Sequence, residues 1–330
     1  MEFLFCGVDV SKDKLDYALC HASSKAILDV SDAPNTMPGI RKLIRGLVKR
    51  SKGYHLWVCL EHTGNYSLLL THLLEQAEIT FSVISSLEII KSNGLTRGKT
   101  DPVDAQRIAR YAATFQHRLK PTTLASNNIM KLKVLLTVRD HSVRMRTQCK
   151  NALKSLHIAA QVLSMKVQIR QYQTLIKELD KQVLEDEQQM LKVISADADL
   201  KTTYDKITKV IGIGQITAVA VILYTHNFTL FDNPRKFNCY CGLAPFEYSS
   251  GTSVHKRTQT SKYRNKMMKK LLFNASNTAI NRDMQLRTYY NRKLEEGKHK
   301  MSVINAVACK LVYRIFAVAK RDTPFVEFSV

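Results

Sequence analysis

Residues 125 to 195 contain neither glycine nor proline, and Tyr172 is their one aromatic residue. A stretch of that length without helix breakers is committed to long helices. In its second half Met165, Ile169, Tyr172, Ile176, Leu179, Val183, Met190 and Ile194 recur at steps of four and three, with an acidic gap at Asp186 and Glu187. That period predicts an apolar a/d seam along roughly 30 residues, about 45 Å of helix. A helix over 129–156 is available to pack against it as an intramolecular hairpin. The same seam would equally serve as a dimerisation stalk.

The flanking sequence divides around this segment. Over residues 1–122, FLFCGVDV, LDYALCHA and KAILDVSD read as three consecutive strands. A helix over 37–48, the strand HLWVCLE, a helix over 65–76 and the strand TFSVIS follow. Strands followed by strand–helix alternation predict an α/β domain with a mixed sheet. Residues 123–197 form the expected helical, coiled-coil region, and 198–330 a mostly helical third one. There KVIGIGQITAVAVIL sets Gly212 and Gly214 between two apolar helical patterns, the spacing of a helix-hairpin-helix element. Such a hairpin offers backbone N–H groups to a phosphate, although a plain turn between packed helices needs the same glycines.

Charge narrows the partner. The chain has 50 Lys and Arg against 28 Asp and Glu, a net charge of +22. A polyanion is the expected counterweight. No apolar run approaches the ~20 residues of a membrane span, and Asp9 comes too early for a signal peptide, so nucleic acid is expected rather than membrane. Seven scattered cysteines predict reduced thiols in a cytoplasm and no structural zinc. His255 to Lys270 carries Lys256, Arg257, Lys262, Arg264, Lys266, Lys269 and Lys270 without one acid, the pattern of a phosphate-contacting surface.

Four acids stand where acids are costly or paired. Asp9 lies within the apolar strand GVDV, and Glu61 ends HLWVCLE. An isolated carboxylate there needs a partner or a metal. Asp101 and Asp104 open a helix three residues apart. The adjoining Gly-Lys-Thr is not a phosphate-cradling loop, because Gly94 and Gly98 bracket three residues rather than the required spacing. Asp101 as N-cap with Pro102 at the first helical position would make a capping box needing no metal. Taken together, however, the four acids suit a cluster for two divalent cations beside a phosphodiester.

GVDVSKDKLDYAL, VCLEHTGNY, GKTDPVDAQRIA, KVIGIGQITAVAVIL and GLAPFEYSSGTSVHKR together resemble, in order and across nearly the whole chain, the insertion-sequence-110 group of DEDD transposases and the Piv-type DNA invertases. The resemblance implies an N-terminal RuvC-like domain of ribonuclease H fold, a coiled-coil insert and a C-terminal transposase domain. It implies that Asp9, Glu61, Asp101 and Asp104 hold Mg²⁺, with Mn²⁺ a substitute, and that Ser250 is the nucleophile, with Ser249 beside it. It further implies donor and target double-stranded DNA, a structured non-coding guide RNA, a homo-oligomer with composite active sites and a nucleoid-associated life in a prokaryotic cytoplasm. A hydrolytic ribonuclease H-like nuclease with an inert Ser250, and a non-catalytic nucleic-acid-binding protein, are the competing readings.

Overall fold

A computed structural model describes residues 2–61, 64–92, 100–250 and 254–321, with the side chains of 247–250 and 254–258 outside the description. The chain forms two compact units, Met1–Leu124 and Ala125–Val330. The helical stretch expected as a region of its own over 123–197 clusters with the second unit.

The first unit is built on strands β1 (Phe3–Val10), β2 (Lys14–His21), β3 (Ile27–Pro34), β4 (His55–Glu61) and β5 (Thr80–Ile84). They form one sheet in the order β3-β2-β1-β4-β5. β1 pairs antiparallel with β2 and parallel with β4; β3 extends the antiparallel side and β5 the parallel side. The central strand β1 is buried on both faces, hence its nearly continuous apolar sequence. Between β3 and β4 runs α1 (Met37–Arg50), which Thr36 caps by accepting from the Gly39 N–H. α2 (Leu68–Gln76) precedes β5, and α3 (Ser86–Ser92) and α4 (Asp101–Thr114) follow it.

Strand alternation sends side chains to two separate cores. Leu4, Cys6, Val8 and Val10 pack with Leu43 and Leu47 of α1 and Leu70 and Leu74 of α2 on one face. Phe5, Ala18, Cys20 and Cys59 pack with Ala105, Ile108, Ala109 and Ala112 of α4 on the other. The alanine stripe lets α4 lie unusually close to the sheet. A Cβ on Gly7 would fall well under 3.0 Å from the Ala109 N and the Ala105 O, so helix backbone rests directly on strand backbone there.

The second unit begins with α5 (Asn127–Ala159) and α6 (Lys166–Ser195), an antiparallel hairpin of 33 and 30 residues. The seam is partitioned. Leu179, Val183, Met190 and Ile194 are buried, whereas Met165, Ile169, Tyr172 and Ile176 are half-buried. Arg139 reaches across to Glu187 at 2.7 and 2.9 Å, and Arg146 to Asp180 at 2.6 Å. The two pairs are seven residues apart on both helices, so the hairpin runs in heptad register. The acidic gap is therefore where α5 presents an arginine.

Then come α7 (Ala198–Ile207), α8 (Gln215–Thr225), α9 (Pro234–Tyr240), the hairpin β6 (Pro245–Ser250) and β7 (Val254–Thr260), α10 (Lys266–Arg282), α11 (Met284–Glu295) and α12 (Lys300–Lys320). α8 is apolar all round and nearly wholly buried. The base of the α5–α6 hairpin shares its core through Ile129, Leu132, Leu136, Met190 and Ile194. One expectation needs correction: α12, of 21 residues with an 18-residue window of mean hydropathy 1.6, is long and apolar enough to cross a membrane by length and composition. Its apolarity has another cause here. Val307, Ala308, Leu311, Val312, Ile315 and Val318 are buried in the core of this unit, and Lys310 and Arg314 interrupt the remaining face.

Gly7→Ala is expected to destabilise the protein by about 2–3 kcal/mol or more, because backbone rather than a pliable side chain must move. Denaturant unfolding followed by circular dichroism checks this. A loss below 1 kcal/mol would mean that the α4 contact is looser than described.

Candidate active site

The topology carries the acids toward one edge of one face. Asp9 is two residues beyond Gly7 on β1, on the α4 side of the sheet. Glu61 stands one step past Val8–Leu60, the last registered pair of β1 with β4, and by alternation shares the face of Cys59. Asp9 and Glu61 thus end two neighbouring parallel strands. The N-terminal turn of α4, held by the contact at Gly7, brings Asp101 and Asp104 to the same end.

The electrostatics agree with this placement. Burial, then the charges of Asp101, Asp104, Glu61 and Asp16, push the Asp9 carboxyl from its ordinary 3.8 up to about 6. Among the described residues no hydrogen bond or cation meets the Asp9 or Asp101 side chain. Asp104 accepts from Arg107 Nη1 at 2.7 Å, and Glu61 accepts from the Ser86 hydroxyl. These two contacts restrain both acids laterally. Accordingly, no three His, Cys, Asp or Glu among the described residues stand in a metal-holding arrangement. The donor set nevertheless fits a hard divalent cation: it is all oxygen, and Asp9 is a carboxylate in want of positive charge.

The capping box, the competing reading of the α4 acids, is absent. The N-cap is Thr100, which makes no side-chain cap bond; Asp101 is the first helical residue, and Val103, not an acid, occupies the third position. Neither aspartate is consumed as a cap. Both still lie where the helix dipole favours negative charge.

Four neighbours escaped the sequence reading. Asp16 faces Asp9 directly across the β1–β2 pair and is buried, held by Lys14 Nζ at 2.9 Å. Asp32 stands opposite Asp16 on β3. Arg107 and Ser86 tether Asp104 and Glu61. The hairpin register could have revealed the Asp9–Asp16–Asp32 row, since three strands had been read; the tethers depend on tertiary contacts.

The remaining candidates lie in the second unit. Ser250 ends β6 with its Cα opposite Val254, and Ser249 is opposite His255. Both side chains, Gly251 and the side chains of Lys256 and Arg257 on β7 fall outside the described residues. Lys262, Arg264, Lys266 and Lys270 are exposed. Lys269 is not: its ammonium donates to Gly242 O at 2.7 Å and Asn305 Oδ1 at 2.5 Å and lies over the Phe273 ring. Burial, with Arg264 next, lowers its pKa. Its expected phosphate contact yields to this internal role. Gly212, at φ +93°, is pressed against α10, where a Cβ would meet Ala275 O and Ala279. Packing alone accounts for that glycine, whereas Gly214, the N-cap of α8, has open space around its Cα.

Known proteins match along the chain. A DEDD transposase family model of the IS110 type matches residues 6–157, and that of the Transposase IS116/IS110/IS902 family matches 204–291. The pilin gene-inverting proteins of Moraxella lacunata and Moraxella bovis are 25% and 27% identical, each over 98% of both chains. An uncharacterized 43.6 kDa protein of insertion element IS110 from Streptomyces coelicolor is 31% identical over 37% of this chain and 29% of its own. Among solved structures, T. thermophilus RuvC in complex with a Holliday junction substrate aligns with TM-score 0.30 and 10% identity, over 36% of this chain and 99% of that one.

The raised Asp9 carboxyl has a checkable sign. The folded state binds its proton more tightly than the unfolded state, so this stabilising contribution is present below about 3.8 and is lost as pH rises through about 6. The stability of Asp9→Asn over wild type should therefore grow across that window in metal-free buffer and level off above it. Mg²⁺ or Mn²⁺ should then raise the melting temperature of wild type and not of the variant. A gap independent of pH would show that neither burial nor the neighbouring acids displace the Asp9 carboxyl.

Proposed function

The chain belongs to the IS110-type family of transposases and DNA invertases, and from that premise we propose that it cuts and rejoins DNA by serine attack at a phosphodiester beside the four-acid cluster. That it is a DNA transposase or site-specific recombinase follows from the family. The chemistry of the step is the present reading, and the observation carrying it is the placement of Asp9, Glu61, Asp101 and Asp104 at one end of the sheet, where burial and then the neighbouring acids displace the Asp9 carboxyl upward.

In this reading Asp9, Glu61, Asp101 and Asp104 would hold one or two Mg²⁺ ions, which supply charge neutralisation to attacking and leaving oxygens. The protein's own groups do the rest. Ser250 Oγ forms a bond to phosphorus while its proton passes to a base, and the bond from phosphorus to the sugar oxygen breaks as that oxygen takes a proton. The products are a phosphoserine ester and a free sugar hydroxyl. Attack by a second hydroxyl reverses the step without external energy. Arg107 and Ser86 orient Asp104 and Glu61 as this chemistry proceeds.

The acids lie in the first compact unit and Ser250 in the second, and a homo-oligomer is the assembly this reading calls for. A guide RNA pairing with donor and target DNA would supply sequence choice, while exposed Lys262, Arg264, Lys266 and Lys270, with Lys256 and Arg257, meet backbone. The place of action is the prokaryotic nucleoid.

Two outcomes test the proposal. In cells carrying the native flanking DNA, covalent protein–DNA adducts are expected with wild type and absent with Ser250→Ala; cleavage without any adduct would replace serine attack by hydrolysis. Asp104→Asn should lower cleavage about 10³-fold, the equivalent of several kcal/mol of charge stabilisation, while DNA binding holds. Retained cleavage would remove Asp104 from the site.

A further inference from the structure

The basic run after the β6–β7 hairpin is not the only concentration of positive charge. Residues 37–52 carry Arg41, Lys42, Arg45, Lys49, Arg50 and Lys52 and no acid. All six are exposed. Ile40, Leu43, Ile44 and Leu47 fix the opposite side of α1 in the core, which turns the cations outward. Arg41, Arg45 and Lys49 follow one another at steps of four, a single ridge about 12 Å long, and Lys52 lies in the turn after the helix.

The ridge is left largely without acidic neutralisation, as are Lys131, Lys133, Lys150 and Lys154 of α5 among the described residues. Along α5, Arg139, Arg144 and Arg146 each meet an acid at 2.5–2.7 Å. Along α1 only Arg50 does, on Asp29, and among the described residues Arg41, Lys42, Arg45, Lys49 and Lys52 have no acidic partner. Like charges four residues apart destabilise a helix, so the arrangement costs stability until an anion occupies it. The ridge is also on the far side of the sheet from the four acids, since α1 packs on one face and α4 on the other. A strand at the acids cannot lie on this ridge as well.

We infer that the outer face of α1 is a second DNA-binding surface, which grips the backbone of a duplex segment other than the strand being cut. The helix face carries its cations with Met37 and Val48 as the exposed apolar residues and no aromatic residue on which an unpaired base would stack, which selects a duplex backbone over a single strand. A lipid surface fits less well, because the apolar side of this amphipathic helix is already buried in the core. A recombination enzyme must manage DNA on both sides of a cut, and a rear surface on the unit that holds the acids supplies a fixed grip. The inference rests on the family's action on DNA and adds to it a location.

The test compares wild type with the quadruple variant Arg41→Gln, Lys42→Gln, Arg45→Gln, Lys49→Gln, all at exposed positions. Binding is titrated over a range of salt against a DNA duplex extending well beyond the reacting site, a folded RNA duplex and anionic phosphatidylserine vesicles. For duplex DNA the slope of log affinity against log salt should become shallower by about 3–4, with affinity roughly 10-fold or more weaker at moderate salt. Acetylation of Lys42 and Lys49 in the unaltered protein, read by mass spectrometry, should be suppressed by the same duplex. An unchanged slope and unprotected lysines overturn the inference. A loss confined to RNA or to vesicles overturns it in favour of those partners. Should the variant not fold, protection of the two lysines in wild type decides. Absence of cleavage by wild type would instead count against the activity reading, so the two failures are separable.

Discussion

The contact between the backbone of β1 at Gly7 and the backbone of α4 at Ala105 and Ala109 is the constraint on which the first unit depends. A helix normally stands off a sheet by the thickness of two layers of side chains. Here glycine on one side and alanine on the other remove that thickness, and the helix start descends to the level of the strand ends. Asp101 and Asp104 then share space with Asp9 and Glu61. A side chain at position 7 would lift the helix and separate the acids with no change in any acid itself.

In the proposed reading that arrangement trades stability for function. A buried strand end surrounded by like charge is an unfavourable place for Asp9, and the upward displacement of its carboxyl measures the conflict. Evolution commonly tolerates such strain where chemistry needs it. Asp16, directly across the hairpin, is relieved by Lys14, and Asp104 by Arg107, whereas Asp9 is left for a cation. Divalent metal would turn the same repulsion into binding energy.

The positive charge of the chain divides into two kinds. Arg139, Arg146, Lys269 and Arg314 serve internal architecture, closing the helical hairpin and the core of the second unit. Exposed cations occur along the whole chain, and α1 and the segment leading into α10 each carry a run of them without an intervening acid. A composition of +22 thus overstates the surface available to a polyanion, and position decides which cations are free to act.

Much of this was legible in sequence. Short apolar runs marked the five strands of the first unit but not the β6–β7 hairpin, the heptad steps marked the long helices, and the isolated acids stood out in apolar strands where desolvation is costly. Local pattern suffices for such features because backbone periodicity and burial cost act over a few residues. Other features only tertiary structure decided. Arg139 meeting Glu187 explains the break in the seam, the core of the second unit explains why α12 is apolar, and α10 explains Gly212. The register of β1 with β2 places Asp16 beside Asp9, and Lys269 turns inward because Gly242 and Asn305 await it. In each case the partner lies tens of residues away, where loop closure and packing, rather than propensity, choose the contact.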